Sequence, residues 1–90
     1  MRFEWDEAKR VSNIEKHGID FLRARKMFDG RALLEAVFSR DDERRVLSLG
    51  ALDGRIVAVV WTLRDNDSVR IISVRRARDA EERHYRQSFV

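Results

Sequence analysis

The sequence contains no cysteine and no proline. Without cysteine there is no disulfide framework and no thiolate nucleophile. Histidine is scarce, with only His17 and His84, so a structural zinc site is not expected, while counting leaves a His/carboxylate site open; no acidic cluster has the look of a two-metal site, so neither a metal nor a cofactor is called for. Long hydrophobic runs are also missing. The longest apolar stretch, Ile56 to Leu63, is far short of the roughly 20 residues of a membrane span and suits a buried strand. The first residues, Met1-Arg2-Phe3-Glu4-Trp5-Asp6, interrupt each short apolar stretch with charge and do not read as a signal peptide. A soluble, cytoplasmic protein with no membrane partner is expected. Lysine is rare as well. Of 19 basic residues only Lys9, Lys16 and Lys26 are lysine, and the rest are arginine. Arginine offers a planar fork of donors that fits a phosphate, where lysine offers a point charge. The net charge of +3 is too small to argue for nucleic acid by itself, and arginine excess can be plain base composition. Position along the chain has to decide.

The 90 residues make a single domain, 1–90, and 43% of them are hydrophobic. A domain of this size buries only about 60–65% of its unfolded surface, so modest stability is expected. Phe3-Glu4-Trp5 alternates like a short strand. Asp6 is a good N-cap for a helix from Glu7 to about His17, with Ala8, Val11 and Ile14 as its apolar stripe and Gly18 as its stop. Asp20 caps a second helix, Phe21 to Phe28, that buries Phe21, Ala24, Met27 and Phe28. Beyond Gly30 the period becomes strand-like. Ala32 to Phe38 suits a strand, although Leu33-Leu34-Glu35-Ala36 also suits a helix. Ser39 to Asp42 reads as a turn, and Glu43 to Leu49 as an alternating strand with Arg45, Leu47 and Leu49 on one face. Asp53-Gly54 is the strongest hairpin signal. Arg55 to Leu63 reads as a central strand buried on both faces. Residues 65–68 read as a turn, Val69 to Arg76 as the last strand, and Asp79 to about Gln87 as a final helix. The order β-α-α-β-β-β-β-α, with strands joined by hairpins and helices grouped at either end, predicts an α+β fold with a mainly antiparallel sheet.

The arginines gather at strand ends. Arg44 and Arg45 open one strand, Arg64 closes the next, and Arg70, Arg75 and Arg76 lie on the last. Arg45 and Arg64 approach each other if the register permits. On strict alternation Val69, Ile71, Ser73 and Arg75 share one face of the last strand, and Arg70, Ile72, Val74 and Arg76 the other. Two readings are open: ordinary strand tips solvated by charge, or an arginine-lined groove for a phosphate backbone. Asp65, Asp67, Asp79, Glu81 and Glu82 supply carboxylates that can pair with these arginines, while Asp41-Asp42-Glu43 reads as solvated turn charge. His17, in Lys16-His17-Gly18, is an acid–base candidate or a helix-end residue. Tyr85 is an anchor for the last helix, Trp61 a core residue, and Trp5 a stacking candidate. RNA cleavage suits such residues, because the substrate's own 2′-OH attacks the phosphate and the protein supplies only a base, an acid and cations.

Phe3-Glu4-Trp5-Asp6, Lys9, Asn13, Lys16-His17-Gly18-Ile19, Phe21 and Ala24 resemble the opening signature of the BrnT toxins. Glu43 to Arg45, Gly50, the strand ending at Arg64, Arg70-Ile71-Ile72-Ser73-Val74-Arg75-Arg76-Ala77, and Glu81, Glu82 and Tyr85 are similar to the rest of that family. Val74 stands where the family often has alanine. The resemblance implies a compact fold similar to the RelE ribonucleases and an endoribonuclease toxin that lowers translation. It also implies neutralisation by a ribbon-helix-helix antitoxin of the BrnA kind, with operator DNA bound only through the complex. Within it, Arg45, Arg64 and Arg75 are expected to hold the scissile phosphate. His17 or Lys9 is expected to move the proton, with Tyr85 in reserve, and Arg44, Arg70, Arg76, Lys16 and Trp5 to contact the RNA. The alternative is a non-catalytic module that binds the antitoxin and tunes repression.

Overall fold

The computed structural model of the chain describes residues 1–65 and 67–89. Its elements are β1 (Arg2–Glu4), α1 (Glu7–His17), α2 (Phe21–Ala24) continued by a 3-10 turn (Arg25–Phe28), β2 (Leu34–Arg40), β3 (Glu43–Leu52), β4 (Arg55–Arg64), β5 (Ser68–Arg76) and α3 (Asp79–Ser88). The expected order and α+β class are those observed. The segment that suited either a helix or a strand is strand β2, and the second helix tightens to 3-10 geometry after Ala24. The turn expected over residues 65–68 includes Asn66, which lies outside the described residues, and Ser68 already belongs to β5.

The five strands form one sheet in the order β1-β5-β4-β3-β2. Strands β2 to β5 pair antiparallel, whereas β1 runs parallel to β5 with Phe3 opposite Val69, so the sheet is mixed. The Asp53-Gly54 hairpin joining β3 to β4 has both central residues in the left-handed region, at φ 52° and 81°, as a two-residue turn between twisted strands requires. At Gly50 a Cβ would lie 2.6 Å from Leu33 Cδ2 and 2.7 Å from Met27 Cε. A larger residue there would have to push aside the ends of the Leu33 and Met27 side chains.

The expected burial of β4 on both faces holds over Ile56, Val57, Ala58 and Val59 and fails at its end, where Leu63 is 61% exposed. Val57, Val59, Val69, Ile71 and Val74 join Ile19, Phe21, Ala24 and Met27 in the larger core, which the α1–α2 segment covers. Leu49, Ile56 and Ala58 form a smaller core with Tyr85 of α3 on the opposite face.

Two expectations are corrected here. The stripe of α1 is not buried: Ala8 is exposed, Val11 is 45% accessible and Ile14 37%, and the one residue α1 buries is Asn13. The face assignment of β5 also fails beyond Ile71. Val60 pairs with Ser73, but Trp61 pairs with Ile71, so a bulge leaves Ile72 without a partner on β4. The extra residue shifts the alternation by one position. Val74 therefore joins Val69 and Ile71 in the core, and Arg75 comes to the same face as Arg70.

The Asn13 amide holds this bulge. It donates to the carbonyls of Val74 (2.8 Å) and Ile19 (2.9 Å), and its oxygen accepts the Val74 N–H (3.1 Å). Backbone groups on the outer edge of β5, beyond the end of three-residue β1, thus gain partners from a side chain. Three buried hydrogen bonds at about 1 kcal/mol each make the amide worth about 3 kcal/mol. Replacing Asn13 with Ala should lower the urea unfolding free energy by that amount. Asn13→Asp should cost at least as much, because it loses both donors. A loss below about 1 kcal/mol in both would show that water serves the edge equally well.

Candidate functional site

The helices leave part of the sheet open. On the face that carries α3, the half of the sheet toward the β1 end is uncovered. Register places Glu43 and Arg45 of β3, Thr62 and Arg64 of β4, Arg70 of β5 and Glu4 of β1 on that half. Arg45 and Arg64 do meet, through Glu43. Arg45 Nε lies 2.8 Å from one Glu43 oxygen and Arg64 Nη1 lies 3.7 Å from the other. Arg64 Nε is 3.7 Å from Glu4, which also takes Arg70 at 3.4 Å. The result is a row, Arg45–Glu43–Arg64–Glu4–Arg70, of three cations and two anions.

These contacts differ in strength. The Arg45 pair has hydrogen-bond geometry, and the Arg45 side chain is only 19% exposed. Both contacts of Arg64 are longer than a hydrogen bond, and its side chain is 49% exposed. Loose, half-exposed pairs of this kind are worth little and are readily exchanged. Arg64 is therefore the most loosely held member of the row. Glu43 is half-buried between Arg45 and Arg64, which corrects its reading as solvated turn charge. Sequence reasoning missed Glu4 and Glu43 as site residues. The alternation Phe3-Glu4-Trp5 signalled that Glu4 opposes the core, but only the parallel β1–β5 pairing puts it beside Arg70.

Arg75 stands on the same face nearer α3, where Glu81 takes both guanidinium branches at 2.8 and 3.0 Å. The Glu81 carboxyl is held at about 2, chiefly by hydrogen bonding from Arg75 against an opposing desolvation, with a further contribution from the Arg78 backbone N–H at 2.8 Å. Beside β5, Lys9, Lys16 and His17 of α1 line one cleft of about 180 Å3 with Ile72 and Ser73 of the bulge. Ser73 lies between Arg70 and Arg75 in sequence and on the same face. The bulge thus joins the α1 cations to the arginine-bearing face.

The other expected site residues lie elsewhere. Arg44 is exposed on the opposite face of β3, and Arg76 pairs with Val57 on the helix-covered face of the sheet. Trp5 packs edge-to-face on Phe21, at 6.2 Å between ring centroids, on the helix-covered face. Tyr85 donates its hydroxyl to the Ala32 carbonyl at 3.1 Å and packs on the smaller core. Trp61 donates Nε1 to Ser48 Oγ at 2.9 Å and stacks edge-on with Phe28. Among the described residues, no three His, Cys, Asp or Glu side chains converge as a metal site would need. Among the described residues no helix is long and apolar enough to cross a membrane.

Fold and site together define a small α+β domain with one sheet face packed and half of the other left open and rich in arginine. The chain belongs to the family of BrnT ribonuclease toxins of type II toxin–antitoxin systems, whose model matches residues 5–81. Its structure is similar to the crystal structure of the ribonuclease toxin BrnT of Brucella abortus, with a TM-score of 0.69 and 32% sequence identity. The similarity covers 88% of this chain and 99% of that one. No curated protein matches the chain.

Because the carboxyl of Glu81 is lowered from its ordinary 4.5 to about 2, it adds stability above pH 4.5 that is lost as the pH falls toward 2. Docking of α3 should loosen over that window, read as rising amide exchange in residues 79–88. Glu81→Gln should remove that pH dependence. An unchanged profile in the variant would assign the acid sensitivity to another carboxylate.

Proposed function

We propose that the chain is a metal-independent endoribonuclease that cuts RNA and so inhibits translation in the cytoplasm. The observation that carries this reading is the Arg45–Glu43–Arg64–Glu4–Arg70 row on the open sheet face, with Arg75 on the same face and the α1 cations beside it. Phosphate contacts draw on arginine's paired donors. Arg64 binds the scissile phosphate first, Arg45 and Arg70 its neighbours, and Arg75 joins when phosphate competes with Glu81. Glu4 and Glu43 keep the guanidiniums extended over the sheet in the absence of substrate, which lowers the ordering cost on binding. The 2′-OH attacks the adjacent phosphorus, the bond to the 5′-oxygen breaks, and a 2′,3′-cyclic phosphate remains. Lys9 or His17 moves the proton, and Lys16 holds a flanking phosphate. Developing negative charge on the phosphoryl oxygens meets fixed arginine donors. Trp5 and Tyr85 support the scaffold in this scheme.

The partner is a ribbon-helix-helix antitoxin of the BrnA kind, carrying carboxylates that compete for the same arginines. Operator DNA is then bound through the complex. Occupation of the row by the antitoxin and by RNA is mutually exclusive.

Purified protein incubated with a defined mRNA in EDTA should leave 2′,3′-cyclic phosphate ends. Arg64→Ala should lower the rate about 100-fold or more, as expected when a preorganised donor to developing charge is lost, while the protein stays folded. Cleavage that EDTA abolishes would overturn the metal-free chemistry. Full activity in Arg64→Ala would overturn the role of the row. A protein that neither cuts free or ribosome-bound RNA nor arrests growth when expressed alone would be the non-catalytic antitoxin-binding module.

A further inference from the structure

A second basic surface lies on the other side of the sheet, where α2 and its 3-10 extension pass β1. Carboxylates and arginines in this region are closely matched. Asp20 takes Arg10 at 3.0 Å, Asp29 takes Arg31 at 2.8 Å, and Asp53 takes Arg23 with Nε at 3.1 Å. Arg25 and Lys26 stand outside that matching. Arg25 donates Nε to the Leu22 carbonyl at 3.1 Å, and neither Arg25 nor Lys26 has a carboxylate at ion-pair distance among the described residues. Both are exposed. With Arg23 they rim a cleft of about 490 Å3 that Phe3 and Leu22 also line. The Phe3 ring is half-buried and held edge-on by Phe28 at 5.4 Å, and Leu22 is 42% exposed. A fixed aromatic ring beside unpaired cations is the pattern that binds single-stranded nucleic acid, with a base against the ring and phosphates on the rim.

The cleft adjoins the arginine row across a single edge strand. Phe3 and Glu4 are consecutive on β1, so the pleat sends them to opposite faces. Glu4 contacts Arg64 and Arg70 on the open face, while Phe3 lines the cleft on the other. A chain leaving the row over β1 arrives at Phe3.

We propose that this cleft is an accessory site for single-stranded RNA, which holds the strand flanking the cut after it rounds β1. It rests on the arginine row being where RNA is cut. Arg25 and Lys26 take phosphates, and a base stacks on Phe3. The pairing of Arg23 with Asp53 leaves it a minor contributor.

The test uses uncleavable, fluorescein-labelled 2′-O-methyl oligonucleotides of about 6 and about 20 nucleotides, chosen to fall near the two ends of common single-strand site sizes. Wild-type protein should bind the longer strand more tightly. The double variant Arg25→Ala/Lys26→Ala should lose that length advantage. Its slope of log affinity against log salt on the long strand should fall by about 1.4, which is about 0.7 per phosphate contact. Identical length dependence and slope in both proteins would overturn the accessory site. Retained RNA binding with lost association of the co-expressed antitoxin would also overturn it and make the cleft a protein-docking surface. Failure of the arginine row is read separately, as full cleavage by Arg64→Ala.

Discussion

The Asn13 amide satisfies the Val74 backbone on the free edge of β5 and ties that edge to the segment after α1. Strand β1 is too short to do this, because it pairs with β5 only from Ser68 to Arg70. A side-chain amide carries the same donor and acceptor as a peptide unit, so it can stand where a longer strand would. The placement of Arg75 and of the α1 cations depends on this substitution. The bulge it secures keeps Val74 in the core and brings Arg75 to the face that already holds Arg70. The same bonds press α1 against the bulge, so Lys9, Lys16 and His17 share a cleft with Ser73. A buried polar group is costly unless fully bonded, and this one is bonded at both ends.

Electrostatic balance is the second organising feature. The net charge is small because 16 acidic residues nearly balance 19 basic ones, and the ion pairs they form are unequal. Arg75 and Arg45 sit in tight, shielded pairs that fix their geometry. Arg64 and Arg70 make longer contacts with Glu4 and Glu43. Such a surface is ordered without being fully neutralised, since loose pairs of this kind contribute little. The apolar residues left exposed on α1, Val11 and Ile14, follow from the same geometry: the helix is held by an amide, not by an apolar seam.

Much of this was legible in the chain. The caps Asp6 and Asp20, the stop at Gly18, the Asp53-Gly54 hairpin and the doubly buried first half of β4 follow from local stereochemistry and from unbroken apolar runs. The meeting of Arg45 with Arg64 was legible too, because antiparallel neighbours joined by a short hairpin bring the start of one strand beside the end of the next. The family was readable from motifs spread along nearly the whole chain. Helix α1 misled because Ala8, Val11 and Ile14 have the right spacing to be buried, and nothing local reports that the sheet edge needs an amide instead.

The sequence by itself determined the element order, the α+β class and the concentration of arginine at strand ends. Each of these depends on residues close together in the chain. Only the tertiary structure decided which arginines share a face and which carboxylates hold them. A strand's alternation can be read locally, but a bulge resets it, and the bulge at Ile72 exists through pairing with β4 and through Asn13, 61 residues from Val74. The parallel placement of β1 beside β5, which brings Glu4 to Arg70, is likewise a contact between the two ends of the chain. Long-range pairings of this kind are chosen by the packing of the whole core, and no short window of sequence encodes them.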